Sequence, residues 1–187
     1  MRDMSRAFVL AGKKAIVTGA GRGLGHHMAI ALAQAGADLA LASRTREHLE
    51  RTADEIHALG SKALVVELDV TRSRDIQDMV DRVLEEFQVI DILVNNAGCN
   101  VRKPSVDITE EDWDNLFSVN TKGLFFCTQA VAGQSMVPRR KGAIVNISSD
   151  VGVIGATRVA YPASKAAVVQ ITRCEALEWA PFNIRVN

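Results

Sequence analysis

Ala15-Ile16-Val17-Thr18-Gly19-Ala20-Gly21-Arg22-Gly23-Leu24-Gly25 is the stretch that decides the architecture. An aliphatic run leads straight into glycines, and a helical pattern opens within them, so the stretch reads as a strand feeding a helix through a tight turn. Gly19 and Gly23 can bring backbone N–H groups close to a pyrophosphate at the N-terminus of that helix, where the helix dipole favours an anion. Gly25 would let the helix pack tightly on the sheet. The spacing is Thr-Gly-x-x-x-Gly-x-Gly, not the general dinucleotide fingerprint, and a glycine-rich turn of this kind can also be only a tight turn.

Outward from this stretch, Leu39-Ala40-Leu41, 63–68, Ile92-Leu93-Val94 and 143–147 form further aliphatic runs suited to parallel strands buried on both faces. Amphipathic stretches near 24–35, 45–59, 73–87, 110–136 and 162–179 separate them and are long enough for crossover helices. The order βαβαβ, repeated, predicts an α/β fold with a doubly wound parallel sheet, and residues 1–187 read as a single dinucleotide-binding domain. No linker, repeat or low-complexity segment interrupts it. The final residues, Asn183-Ile184-Arg185-Val186-Asn187, begin one more strand.

Composition narrows the function classes. A chain of 187 residues that is 48% hydrophobic and 24% charged can bury one sizeable core. Its 22 basic and 22 acidic residues cancel, which leaves no net field for nucleic acid or an anionic membrane. Arg139-Arg140-Lys141 accordingly reads as a solvated loop. The apolar stretch 7–10, followed by Lys13 and Lys14, is far too short for a signal peptide, and no segment is long enough to span a membrane. Cys99, Cys127 and Cys174 are odd in number and widely spaced, which suits a reducing, cytoplasmic setting and small core residues rather than a disulfide framework. His26 and His27 lack the companions of a metal site and read as surface and groove residues, so no metal is expected.

Two more segments carry chemistry: Asn95-Asn96-Ala97-Gly98 after the fourth strand, and Tyr161-Pro162-Ala163-Ser164-Lys165. An unperturbed phenol, with a pKa of about 10, is a poor base at neutral pH. Lys165 lies at i+4 from Tyr161, on the same face of a helix that Pro162 helps to start, and its charge would favour the phenolate. That spacing alone is common and is usually a surface pair. Its place, a short loop after the 144–149 strand, gives it weight, and Tyr161 is the only tyrosine of the chain.

Taken together, the three segments resemble the classical short-chain dehydrogenase/reductase family, from Leu10 onward. The resemblance implies a three-layer Rossmann fold and hydride transfer between a nicotinamide cofactor and a small-molecule ketone or secondary alcohol. It implies that Thr18, Gly19, Gly21, Arg22, Gly23, Leu24 and Gly25 cradle the cofactor. Asp69 and Val70 would meet the adenine, although Asp69 also suits a turn cap. Asn96, Ala97 and Gly98 would form a turn beside the adenine ribose. Tyr161 would donate or take the proton on the substrate oxygen, and both Tyr161 and Lys165 would also contact the cofactor, Lys165 at the nicotinamide ribose. Ser149 would hydrogen-bond the substrate oxygen, with Ser148 as the alternative. Asn120, in Ser118-Val119-Asn120-Thr121, would kink its helix and serve the proton relay. The apolar faces of 110–136 and 162–179 imply a homodimer or homotetramer.

The cofactor reading turns on the end of the second strand, where an acidic residue would bind the ribose hydroxyls and repel a 2′-phosphate. Ser43-Arg44 stand there instead. Arg44, with Arg22, could clamp a phosphate, so NADP(H) is favoured over NAD(H), although relatives with a similar arginine accept NAD.

Departures from the family pattern are equally definite. One residue fewer separates Ser149 from Tyr161 than in most relatives, which would shift the Ser149 hydroxyl. Family members also usually run further, supplying substrate-covering helices and a seventh strand, so a C-terminal part is expected to be missing and the open sheet edge to need a cover. Asn100-Val101-Arg102-Lys103-Pro104 and Glu178-Trp179-Ala180-Pro181 resemble the branch that oxidises sugar acids such as gluconate. Arg102 or Lys103 could attract a carboxylate there, or be solvated loop cations. The alternatives are a 3-oxoacyl carrier-protein reductase and a catalytically silent dinucleotide-binding module.

Overall fold

The computed structural model describes residues 9–187; residues 7 and 8 of the apolar stretch in the leader reading lie outside them. Six parallel strands form one sheet in the order β3-β2-β1-β4-β5-β6. They are β1 Lys14–Thr18, β2 Asp38–Ser43, β3 Ala63–Glu67, β4 Ile92–Asn95, β5 Gly142–Asn146 and β6 Ile184–Val186. Helix α1 (Gly23–Gln34) follows β1, α2 (Arg46–Ala58) follows β2, and α3 (Ser73–Phe87) follows β3. The long crossover from β4 to β5 is one continuous helical rod: α4 (Glu110–Phe117), α5 (Leu124–Val131) and α6 (Val137–Arg139), joined by the π-helical segments Ser118–Gly123 and Ala132–Met136. Helix α7 (Ala160–Trp179) leads to β6.

The continuous apolar runs are strands because both their faces are covered. Register pairs Ile16 with Ala40 on one side and with Leu93 on the other, and Leu93 with Ile144. Alternate residues then divide between two cores. On one face, Val17, Leu39, Leu41 and Val94 meet Ala29 and Ala33 of α1 and Leu49 and Ile56 of α2. On the other, Ile16, Leu93, Ile144 and Val186 meet Met79 and Val83 of α3 and Cys127 and Val131 of α5. Strand order reverses between β1 and β4, and in such a sheet a crevice opens at that point beyond the carboxyl ends of the strands.

Two expectations need correction. Arg139 is no solvated loop residue: it ends α6 and donates to Asp91 Oδ1 at 2.8 Å and to the Ile90 carbonyl at 3.0 Å. Burial would raise the Asp91 pKa, but Arg139 and the Lys14 N–H outweigh it and hold the carboxyl below the usual range. Arg140 lies over the Phe182 ring and donates to the Pro181 carbonyl, so the basic run fastens a helix end to the start of β4 and to the turn before β6. Of the cysteines, only Cys127 is a core residue; Cys174 is exposed on α7, and Cys99 follows the 95–98 turn into the crevice.

Candidate active site

The cradle is built from backbone. Thr18, the last residue of β1, accepts the N–H groups of Asn96 and Ala97 on its hydroxyl, both at 3.0 Å. Asn96 returns the favour: its Nδ2 donates to the carbonyls of Thr18 at 2.9 Å and Gly19 at 3.2 Å. These bonds bind the glycine turn to the 95–98 turn across the switch point. Gly19 has a φ of +69°, and a Cβ there would sit 2.8 Å from Asn96 Nδ2. A Cβ on Gly25 would land on the Gly19 carbonyl and the Asn96 amide, so Gly25 closes α1 onto the turn itself rather than onto the sheet. Arg22 is the N-cap of α1 and makes no side-chain cap, which leaves the first N–H groups of that helix to a ligand.

A cleft of about 700 Å³ opens above this cradle. Gly19, Gly21, Arg22 and Leu24 line one wall, Ser43 and Arg44 the end of β2, and Asp69, Val70, Asn96, Ala97 and Gly98 the opposite side. Thr18 and Gly25 lie behind the lining, and Gly23 has a left-handed φ of +57° at the start of α1. Asp69 acts as the turn cap: its Oδ1 accepts from the Thr71 N–H at 3.0 Å and from the Thr71 hydroxyl at 2.8 Å. Burial opposes its ionisation, yet these bonds and the nearby Arg44 and Arg72 keep its pKa low. His48 and Cys99 also line the cleft, and no sequence motif points to either. His48 lies in the first turn of α2, four residues after Arg44, and packs over Gly21, where a Cβ would lie 2.7 Å from its own Cβ. That spacing was the only available signal.

Gly98 marks where the cleft meets the second group of residues. A Cβ on it would lie 3.3 Å from Asn120 Oδ1 and 3.8 Å from Lys165 Nζ. Asn120 is fully buried in the first π-helical segment. Its Oδ1 accepts the Cys99 N–H at 2.8 Å, and its Nδ2 donates to the Cys99 carbonyl and to Ser164 Oγ, both at 3.0 Å. The widened helical turn carries this amide between the Cys99 backbone and Ser164 of α7. Lys165, 5% exposed, donates from Nζ to the Ile147 carbonyl at 2.7 Å and lies 5.8 Å from the centre of the Tyr161 ring. Burial lowers its pKa. Gly152 lets the loop after β5 press on α7, since a Cβ there would meet the Lys165 backbone at 2.8 Å.

The two serines differ in their commitments. Ser148 donates to the Lys165 carbonyl at 2.9 Å, which ties the strand end to α7. Ser149 donates to its neighbour Asp150 at 2.9 Å, on the half-exposed rim. The two basic candidates near the 95–98 turn differ as well. Lys103 is held by Asp112 at 2.5 Å, and this contact first, then the Thr109 N–H and hydroxyl, pull the Asp112 pKa down to about 2. Arg102 is exposed and has no ion-pair partner among the described residues. Among those residues there is also no cluster of three metal-ligating side chains, and no helix is long and apolar enough to cross a membrane.

Comparison with known proteins places this geometry. The profile of the short chain dehydrogenase family matches residues 13–187. The chain is 42% identical over 182 residues to 2-dehydro-3-deoxy-D-gluconate 5-dehydrogenase of Escherichia coli, covering 97% of this chain and 71% of that one. It is 39% identical to gluconate 5-dehydrogenase of Gluconobacter oxydans, covering 96% of this chain and 70% of the relative. The crystal structure of an NAD+-bound xylitol dehydrogenase superposes with a TM-score of 0.91 at 37% identity, covering 95% of this chain and 68% of that one.

Proposed function

The chain belongs to the short chain dehydrogenase family and is an NAD(P)(H)-dependent oxidoreductase of CH–OH groups; from this premise we propose that it prefers NADP(H), acts on a sugar acid such as gluconate, and does its chemistry through Tyr161, Lys165, Asn120 and Ser149. The observation that carries the assignment is the meeting at Gly98: a buried lysine and a buried amide converge where the cleft ends, with the ring of the only tyrosine beside the ammonium.

The residues present suit a dinucleotide, because at Gly19, Gly21 and Gly25 a side chain would fill or break the cradle. When bound, the nicotinamide supplies or accepts the hydride. Tyr161 moves the proton at its phenolic oxygen, with the buried Lys165 ammonium beside its ring. The Lys165 Nζ bond to the Ile147 carbonyl holds that charge in place. Ser149 orients the substrate oxygen, and for this its hydroxyl must leave Asp150. Asn120 secures the backbone at Cys99 from both sides.

Arg44 and Arg22, with no carboxylate at the end of β2, support binding of a 2′-phosphate by charge-assisted hydrogen bonds. Arg102 rather than Lys103 is the cation for a substrate carboxylate, because Asp112 already neutralises Lys103. We assign self-association to the apolar groove of Trp113, Phe117, Phe125, Phe126 and Ile171, where Trp113 stacks on Phe117 at 4.5 Å. The test is NADPH oxidation with 5-ketogluconate and with an acetoacetyl thioester: turnover of the keto acid alone is expected. NADPH binding without turnover of either would overturn the reading.

A further inference from the structure

A chain of polar side chains, all buried except the half-buried Thr172, crosses the sheet beneath the 95–98 turn, and no step proposed above uses it. Thr128 of α5, Asn95 at the end of β4, Asn146 at the end of β5, and Thr172 and Glu175 of α7 follow one another across a single face. Asn95 Nδ2 donates to Thr128 Oγ1 at 2.6 Å and to Asn146 Oδ1 at 2.8 Å. Asn146 Nδ2 donates to Thr172 Oγ1 at 3.0 Å and reaches Glu175 Oε2 at 3.4 Å. Asn146 therefore grips both the first residue of the cofactor turn and the helix of Tyr161 and Lys165.

Glu175 is the anomaly of the chain. It is 4% exposed, and its Oε1 is one of two buried side-chain polar atoms among the described residues that have no hydrogen-bond partner. The other is Asn95 Oδ1, at the far side of the same Asn146 amide. Among the described residues no cation acts on the carboxyl. Asn95, Asn146, Thr128 and Thr172 are neutral, and Arg185 of β6 alternates to the opposite face of the sheet from the buried Ile184 and Val186. The one charge acting on it is a like charge, Glu178 of its own helix. Burial first, then Glu178, push the Glu175 pKa up to about 7 against the pull of the Asn146 bond. A carboxylate so placed is far costlier than a carboxylic acid, and ionisation must draw in water or shift α7 against β5.

We propose that Glu175 is a proton-sensing positioning residue: neutral, it lets α7 and the Asn146–Asn95 pair seat the 95–98 turn firmly under the cofactor, and ionised, it loosens that seat. The inference rests on the reading of the cleft as the cofactor site. The sign follows from linkage. A native carboxyl titrating above its unfolded value contributes stability that is fully present below the unfolded pKa and is lost as pH rises through the native one. Relative to a variant that cannot ionise there, stability of the wild-type chain should fall as pH rises from about 4.5 to about 7, and its cofactor affinity as pH rises through about 7.

The experiment follows thermal unfolding and NADPH affinity, by cofactor fluorescence, from acid to alkaline pH for the wild type, Glu175→Gln and Glu175→Leu. The expected result is near-equal affinity at the acid end and wild-type affinity about fivefold weaker than that of Glu175→Gln at the alkaline end, with the unfolding midpoint diverging in the same direction. Glu175→Leu removes the proton site without a polar partner and should follow the pH profile of Glu175→Gln, which keeps the test valid if either variant folds poorly. Parallel unfolding profiles for wild type and both variants would overturn the proposal, as would diverging stability with pH-indifferent cofactor affinity. Absence of NADPH binding in every variant at every pH would instead overturn the cofactor reading of the cleft, and the unfolding profiles would still judge the titration of Glu175.

Discussion

The two ends of the cleft are built on different principles. At the glycine end, the ligand surface is backbone: Gly19 and Gly25 leave room, and the reciprocal Thr18 and Asn96 bonds lock two loops together. At the Gly98 end, the proposed catalytic groups are side chains drawn from separate elements: Asn120 from the long crossover helix, Ser149 from the loop after β5, Tyr161 and Lys165 from α7. Backbone binding sites fail by steric intrusion, whereas side-chain sites fail by loss of one functional atom. Binding and chemistry should therefore be separable by mutation.

The most drastic way to break that separation is at Lys165, which the family resemblance implies also holds the nicotinamide ribose. Lys165→Met should lower turnover about a thousandfold and also weaken NADPH binding, as checked by kcat and by cofactor titration. Gly25→Val tests the glycine end alone. Its side chain would collide with the Gly19 carbonyl and Asn96, at a cost of about 2 kcal/mol, and NADPH affinity should fall about thirtyfold with no lesion in the catalytic side chains. Arg44→Ala sharpens the comparison within the binding end: NADPH should bind about tenfold more weakly while NADH is unchanged. The smallest effect is expected at the substrate rim. Arg102→Ala should raise KM for a keto acid about fivefold and leave neutral ketones unaffected, and Lys103→Ala should do neither, because Asp112 already holds that ammonium.

How far the sequence could be read follows the same division. The glycine turn was legible because a strand, a fixed glycine spacing and a helix start are all local properties of the chain, and the parallel sheet followed from aliphatic runs with no polar alternation. What Gly25 packs against was not legible, since it depends on Asn96 arriving from the other side of the switch point. The same holds for His48 and Cys99, which reach the cleft only after the elements assemble. Arg139 was misjudged because a basic run at a helix end has no local sign of the Asp91 waiting at the start of a strand far off in the chain. Glu175 looks like an ordinary surface acid in sequence, flanked by Arg173 and Glu178. Only the packing of α7 against the sheet buries it, beside Asn146.

The most direct test of separable ends is Tyr161→Phe, which removes one oxygen from the reacting end and touches nothing in the cradle. NADPH affinity and turnover are measured on the same preparation. An unchanged Kd with turnover lost by about a thousandfold is the predicted result. Turnover retained at the wild-type level, or a Kd that weakens in step with the loss of activity, would contradict it.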